Sequence, residues 1–284
     1  MPEGGSLRFA LIAAVTCLLV GCQRSEPARL ATDHNRPASI AAEALIEPDF
    51  GVSGTFSIAA VDPESGICGV AVASMFPAVG SAGPYVKGGV GAFCTQHYHN
   101  PDFGPRALEL LEQEKQPNAI LAELLAGDMR AGQRQLAIVD RNGNTAQHNP
   151  PGAPQSSRWW GAISGRNYAC QGNTLCGPQV LTTMASAFES TRATLADRLL
   201  AALVAGDCAG GDHRGRLAAA VVLAKPGVEG LWLDVHVDKS DDAVLELAKQ
   251  YVEMRHESQG AWAESHRPWQ HPCADRPEPK PPQE

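Results

Sequence analysis

The sequence predicts an α+β domain, a four-layer α-β-β-α sandwich of two mainly antiparallel sheets. Three observations carry that expectation. Strand-like segments come in blocks joined by turn residues, helical segments come in pairs between those blocks, and the order runs strands, two helices, strands, two helices, strands, helix. Such blocks favour antiparallel sheets covered by helix pairs over an alternating parallel sheet. No phosphate loop or dinucleotide fingerprint is present beside these, because Gly88, Gly89 and Gly91 lack the required spacing before a helix.

The elements follow from local chemistry. Residues 55–61 are rich in β formers, Asp62-Pro63-Glu64-Ser65-Gly66 is turn chemistry, and residues 67–74 form a small apolar run, so together they make a hairpin. A glycine-rich stretch over 80–91 leads to a third strand over 92–96, reached by backbone that packs closely or turns sharply. Gly104-Pro105-Arg106 opens a helix over 107–112, and Pro117 opens a second through 125, proline being acceptable in a first turn. Residues 135–140 and 144–148 read as strands around Asn142-Gly143, a strong hairpin signal. A strand over 162–171 then leads to a turn at Gly172-Asn173. Helices are expected over 179–188 and 195–205, strands over 217–224 and 231–237, and an amphipathic helix over 243–254 closes the domain.

The ends of the chain read differently. Arg8 precedes an apolar stretch over 9–20, the length of a signal-peptide core and too short to span a bilayer. Leu19-Val20-Gly21-Cys22 resembles the bacterial lipobox, in which the cysteine is lipidated and becomes the mature N-terminus. The expected organisation is a lipoprotein signal peptide over 1–21, a flexible tether over 22–53, the folded domain over 54–258 and a proline-rich tail over 259–284. An exported protein held on the cell envelope by lipid on Cys22, facing the periplasm or exterior, follows.

The net charge is -8 without a basic stripe, which argues against nucleic acid as partner. With Cys17 in the signal and Cys22 assigned to lipid, Cys68, Cys94, Cys170, Cys176, Cys208 and Cys273 are available for disulfides, with pairing open. No CxxC pair occurs, so a structural zinc site is not expected, and no other metal or cofactor is assigned.

Thr55 carries the sharpest chemical possibility. A hydroxyl residue stands at the start of a β-like run, just after a glycine and a loose leader. A threonine with a free α-amino group holds nucleophile and base in one residue, since that amine has a pKa near ~8. The chemistry requires the bond before Thr55 to be cut. The alternative is that Gly54 marks a turn and Thr55 is only a β-branched first strand residue.

Several segments together resemble one family: Thr55-Phe56-Ser57-Ile58 with Asp62-Pro63, Gly69-Val70-Ala71-Val72-Ala73-Ser74 with Ala78-Val79-Gly80, and Gly89-Val90-Gly91-Ala92 with Thr95-Gln96. Asn100-Pro101-Asp102-Phe103-Gly104-Pro105-Arg106, Gln171-Gly172-Asn173-Thr174-Leu175 and Gly210-Gly211-Asp212-His213-Arg214-Gly215-Arg216 complete the set. This is similar to the bacterial domain-of-unknown-function family 1028, placed among proteins with the N-terminal-nucleophile (Ntn) hydrolase fold. The resemblance covers about residues 54–250 and implies the sandwich already expected, together with amide-bond hydrolysis. Gly before Thr55 also resembles the self-cleaving junction of proteasome-type members of the wider superfamily. The superfamily's habit of packing as dimers makes a homo-oligomer a possible partner. Two departures stand out: the family often has a histidine near Ala162 and usually a serine where Ala218 stands.

Acyl transfer needs an attacking oxygen, a base, an oxyanion hole and a substrate grip. Thr55 supplies the first two. Asn173 is the candidate for oxyanion stabilisation with Gln171 in support; the alternative is a turn whose asparagine caps the next helix. Asp212 and Arg214 are candidates for binding a charged substrate or orienting the Thr55 amine, against a simple loop salt bridge. His97, His99 and Asp102 have strand spacing for a metal, but a solvent-exposed loop accounts for them. Asp234, His236 and Asp238 alternate as the polar face of a half-buried strand, and Cys94 reads as a buried thiol or disulfide partner rather than a nucleophile. The function expected is an exported Ntn-type amidohydrolase acting on a small-molecule or peptide-like amide through Thr55. The alternative is a non-catalytic cell-envelope binding module that keeps the fold.

Overall fold

Alternation along the strands builds the architecture. The computed structural model describes residues 54–149 and 158–259; the signal segment, Cys22, the tether and the tail from residue 260 lie outside them. The chain opens with the hairpin β1 (Thr55–Asp62) and β2 (Ile67–Ser74), followed by β3 (Pro84–Lys87) and β4 (Gly91–His97). Helices α1 (Phe103–Glu112) and α2 (Pro117–Leu125) precede the hairpin β5 (Arg134–Asp140) and β6 (Thr145–His148). Strands β7 (Trp159–Gly165) and β8 (Tyr168–Leu175) lead to α3 (Gln179–Ser190) and α4 (Leu195–Cys208). Strands β9 (Ala218–Ala224) and β10 (Leu233–Val237) and helix α5 (Ala243–Gln259) complete the domain.

One sheet has the order β10-β9-β2-β1-β8-β7 and the other β3-β4-β5-β6. Every neighbouring pair is antiparallel. Along β1, Phe56, Ile58 and Ala60 face Leu181, Met184, Leu199 and Leu203 of α3 and α4. Ala59 and Val61 point the other way and meet Ala92, Cys94, Ala137 and Val139 of the second sheet. On that sheet the intervening residues Phe93, Leu136 and Ile138 pack beneath Leu110, Ile120, Leu121 and Leu124 of α1 and α2. Three apolar interfaces therefore separate four layers, helices, sheet, sheet, helices. Each fully buried Leu, Ile or Phe contributes about 1.5–3 kcal/mol relative to exposure, so the two-residue alternation fixes which face of β1 is which.

Helix starts use the devices their sequences offer. Pro117 occupies the first turn of α2, and Thr194 and Asp197 form a capping box on α4. Among the described residues no helix is long and apolar enough to cross a membrane.

Several expectations are corrected. The strand expected over 162–171 is two strands, β7 and β8, reversing at Arg166-Asn167 with Asn167 in the left-handed region (φ 71). Gln171, Gly172 and Asn173 consequently lie within β8 and not on a turn, because they pair with Ser57, Phe56 and Thr55 of β1. Asn173 caps no helix; Pro178 precedes α3. Strand β3, four residues starting at a proline on a sheet edge, was hidden in the glycine-rich stretch. Helix α1 begins at Phe103, β10 starts only at Leu233, and α5 reaches Gln259. Cys208 is disulfide-bonded, while Cys68, Cys94, Cys170 and Cys176 are free thiols.

Candidate active site between the sheets

At one end of the inter-sheet layer the apolar side chains give way to polar ones. The same alternation that aims Ala59 and Val61 at the second sheet aims Thr55 and Ser57 there as well. Register places Ser74 of β2 on one side of Thr55 and Asn173 of β8 on the other, with Gln171 beside Ser57. Gln96 of β4 and Gln135 of β5 enter from the facing sheet, where they are themselves a register pair. All seven side chains are buried, Thr55 at 1% exposure. Buried polar groups cost free energy unless they are paired, so their bonds determine the geometry.

The bonds around Thr55 have a fixed direction. Ser74 Oγ donates to the Gly54 carbonyl oxygen at 2.6 Å, which uses its only proton. The 2.9 Å contact between Thr55 Oγ1 and Ser74 Oγ must then have Thr55 as donor. Phe76 N–H fills the second lone pair of Ser74 Oγ at 2.9 Å. The Gly54 carbonyl accepts a further bond from Met75 N–H at 3.2 Å. A continuous path thus runs from the Thr55 hydroxyl through Ser74 to the carbonyl of the bond preceding Thr55.

Amides hold the surroundings. Gln96 Nε2 donates to the Thr55 carbonyl at 3.2 Å and to Gln135 Oε1 at 2.7 Å, while its Oε1 accepts from Ser57 Oγ at 2.7 Å. Gln135 Oε1 also accepts from Asn173 Nδ2 at 2.9 Å, and Gln135 Nε2 donates to the Gly172 carbonyl at 2.9 Å. Gln135 therefore ties β4, β5 and β8 around Thr55. Asn173 Oδ1 accepts from Thr174 Oγ1 at 3.0 Å. Thr174 sits at φ 56, a left-handed conformation that a β-branched residue adopts only when its surroundings enforce it.

The loop after α4 closes the site from outside. Leu175 forms a bridge with Asp212, and His213 N–H donates to the Thr174 carbonyl at 3.0 Å. The buried Asp212 carboxylate pairs with Arg214, Nη2 to Oδ2 at 3.0 Å, and accepts the Arg214 backbone N–H at 3.0 Å. Burial pushes the Asp212 carboxyl above its ordinary range, and the Arg214 guanidinium pulls against that. A Cβ built on Gly54 would overlap Asp212 Oδ2, Arg214 Nη2 and Thr174 Oγ1 together. Gly54 is thus seated where Asp212, Arg214 and Thr174 converge.

The sequence profile of the family of unknown function DUF1028 matches residues 55–247 of this chain. The chain belongs to the DUF1028 family. It is also similar to the crystal structure of protein SPO2555 from Silicibacter pomeroyi, a DUF1028 protein, with a TM-score of 0.65 and 27% identity over 74% of this chain and 92% of that one. No curated protein matches the sequence.

In this DUF1028 protein Thr55, Asn173, Asp212 and Arg214 are brought to one end of the sandwich. Gln171 lies one step deeper, its Nε2 donating to the Cys94 carbonyl at 3.1 Å and its Oε1 buried without a hydrogen-bond partner among the described residues. Ser74, Gln96 and Gln135 are the residues that sequence reasoning missed. Counting outward from the Asp62–Ile67 pair of the hairpin places Ser74 opposite Thr55, so that signal was present. Ala218, where a serine was expected, stands in register with Ser74 on its other side, and the hydroxyl at that end comes from β2.

The remaining candidates separate. His97 is buried, not on an exposed loop, because the strand carries it inward; its Nδ1 donates to the Gln133 carbonyl at 2.7 Å. Burial and then the nearby Arg214 charge lower its pKa, favouring the neutral ring. His99 contacts the Tyr85 hydroxyl at 3.3 Å instead. Among the described residues no three His, Cys, Asp or Glu side chains are placed to hold a metal. Asp234 and His236 pair with each other on one face of β10, Asp234 exposed and His236 half-buried against Gly80. The Cys94 thiol, pushed by burial up to about 11, stays protonated at neutral pH.

Proposed function

We propose that this protein is an exported amidohydrolase of the Ntn type whose uncut chain is anchored through lipid on Cys22, and in which Thr55 attacks a small amide or peptide-like bond after the Gly54–Thr55 bond is cut. The observation that carries the reading is the directed path from Thr55 Oγ1–H through Ser74 Oγ–H to the Gly54 carbonyl oxygen. Thr55 Oγ1 attacks the Gly54 carbonyl carbon as its proton passes to Ser74 and the Ser74 proton passes to the carbonyl oxygen. The Met75 N–H stays on that oxygen and stabilises it. Collapse breaks the C–N bond, the nitrogen takes the proton to become the Thr55 amine, and an ester joins Gly54 to Thr55 Oγ1. Water hydrolyses the ester and releases the leader as a carboxylate.

The freed amine then serves as base, with the substrate carbonyl replacing that of Gly54. Asn173 gives one N–H to Gln135, and its second N–H, across the ladder from Thr55, is the further donor for the tetrahedral oxygen. Gln171 supports Asn173 from within the same strand, and Asp212 receives the ammonium of Thr55 or, with Arg214, a charged substrate group.

Intact mass of the full-length chain after expression tests the reading. A species beginning at Thr55, absent in Thr55→Ala, is expected; a wild-type chain that remains joined across Gly54–Thr55 would sink it. A non-catalytic cell-envelope module is the second reading, favoured by the 1% exposure of Thr55 while Gly54 is attached.

A further inference from the structure

The seat of Gly54 points to a substrate class. We infer that the site accepts acyl groups with an unsubstituted α-carbon, that is, glycyl amides of the form X–NH–CH2–CO–NH–R, and rejects those bearing a side chain. This rests on the preceding reading of Thr55 as nucleophile and adds to it.

Self-scission and substrate turnover pass through the same kind of acyl-enzyme, an ester on Thr55 Oγ1. Whatever fits as Gly54 therefore reports what fits as the acyl part of a substrate. The Gly54 carbonyl already lies on two donors, Ser74 Oγ at 2.6 Å and Met75 N–H at 3.2 Å, as a reacting carbonyl must. With the carbonyl so fixed, the α-carbon is fixed too. A Cβ on it would overlap three atoms, Asp212 Oδ2, Arg214 Nη2 and Thr174 Oγ1.

Relief is unequal among the three. Arg214 is one-third exposed and ends a flexible side chain, so it can swing aside. Asp212 and Thr174 cannot, because both are short and buried at 1% exposure. The Asp212 carboxylate is held at Oδ1 by the Arg214 backbone N–H at 3.0 Å, which stays in place when the Arg214 side chain moves, and its loop is closed by Gly215 N–H donating to the Asp212 backbone carbonyl at 3.0 Å. Thr174 is locked by its bond to Asn173 and by His213 on its carbonyl. The wall that excludes a methyl group is consequently backbone-anchored. Turnover of a glycyl amide by the released protein balances as amide plus water giving a glycyl carboxylic acid and the free amine.

Two measurements test the assignment. In the full chain, Gly54→Ala is expected to slow appearance of the species beginning at Thr55 by on the order of 10- to 100-fold, the usual scale of overpacking a closed site, with unchanged secondary structure by circular dichroism. With the wild-type protein after release, glycyl, L-alanyl and L-leucyl 7-amido-4-methylcoumarin are compared, and kcat/KM for the glycyl probe should exceed that for alanyl by at least about 10-fold, with leucyl not turned over. Alanyl turnover equal to glycyl, lost in Thr55→Ala, overturns the glycyl seat and leaves Thr55 as nucleophile. Turnover that persists in Thr55→Ala, or no turnover of any probe, overturns both.

Discussion

Thr55 Oγ1 lies 2.9 Å from Ser74 Oγ across the β1–β2 ladder, and the proton count makes Thr55 the donor. That direction is what distinguishes a relay from an ordinary hydroxyl pair. Replacing Ser74 by alanine removes the relay while leaving Met75 N–H on the Gly54 carbonyl. Scission in Ser74→Ala should fall on the order of 10²-fold, the cost of losing one preorganised donor. Time-resolved intact mass measures this, and scission at the wild-type rate would remove Ser74 from the mechanism.

Gln135 is the hub of the buried amides, accepting from Gln96 and Asn173 and donating to Gly172. Gln135→Ala strips partners from three buried groups at once. At roughly 1–3 kcal/mol for a buried polar group left unpaired, and with partial relaxation, a loss of about 2–4 kcal/mol is expected. Urea unfolding monitors it. A change below about 0.5 kcal/mol, the range of an ordinary surface substitution, would show that the network is not held by Gln135.

The sandwich was legible because periods of two and of three to four are imprinted by burial on the residues themselves. Phe56, Ile58 and Ala60 announce one face of β1 before any partner is known. Ser74 was legible in principle, since a hairpin turn fixes register. Asn173 was misplaced on a turn because Gln-Gly-Asn has turn chemistry, and only pairing with β1 makes it strand. Gln96 and Gln135 were not legible at all. Gln96 stands between Thr95 and His97 and Gln135 beside Arg134, and which of these polar strand-end residues meets Thr55 depends on how two sheets pack, a relationship that no local pattern records.

Burial raises the Asp212 carboxyl above its usual pKa. A raised folded-state value means that the native protein holds this proton more tightly than the unfolded chain, so the associated stability is present below the unfolded pKa, near ~3.9, and is lost as pH rises through the folded one. Asp212→Asn removes that titration. Its stability relative to wild type should therefore increase as pH is raised from about 4 towards neutrality, the range above the free carboxyl pKa. Urea unfolding of both proteins across that range reads the sign, and a difference that shrinks with rising pH would contradict it.

Cutting before Thr55 has a consequence for location as well as chemistry. Cys22, the proposed lipid site, lies on the leader side of the Gly54–Thr55 bond, so the proposed scission would separate the anchor from the domain that begins at Thr55. On the proposed reading a single chain boundary would govern both activation and release, since the free amine and the loss of the tether would arise in one event. Wild-type protein expressed in a bacterium that lipidates should appear in the soluble envelope fraction as the species beginning at Thr55, whereas Thr55→Ala should remain with membranes and Cys22→Ala should be soluble whether or not it is cut. Fractionation followed by intact mass distinguishes these outcomes. Membrane retention of a wild-type domain already cut at Thr55 would mean that something other than the Cys22 lipid holds it, and would separate activation from release.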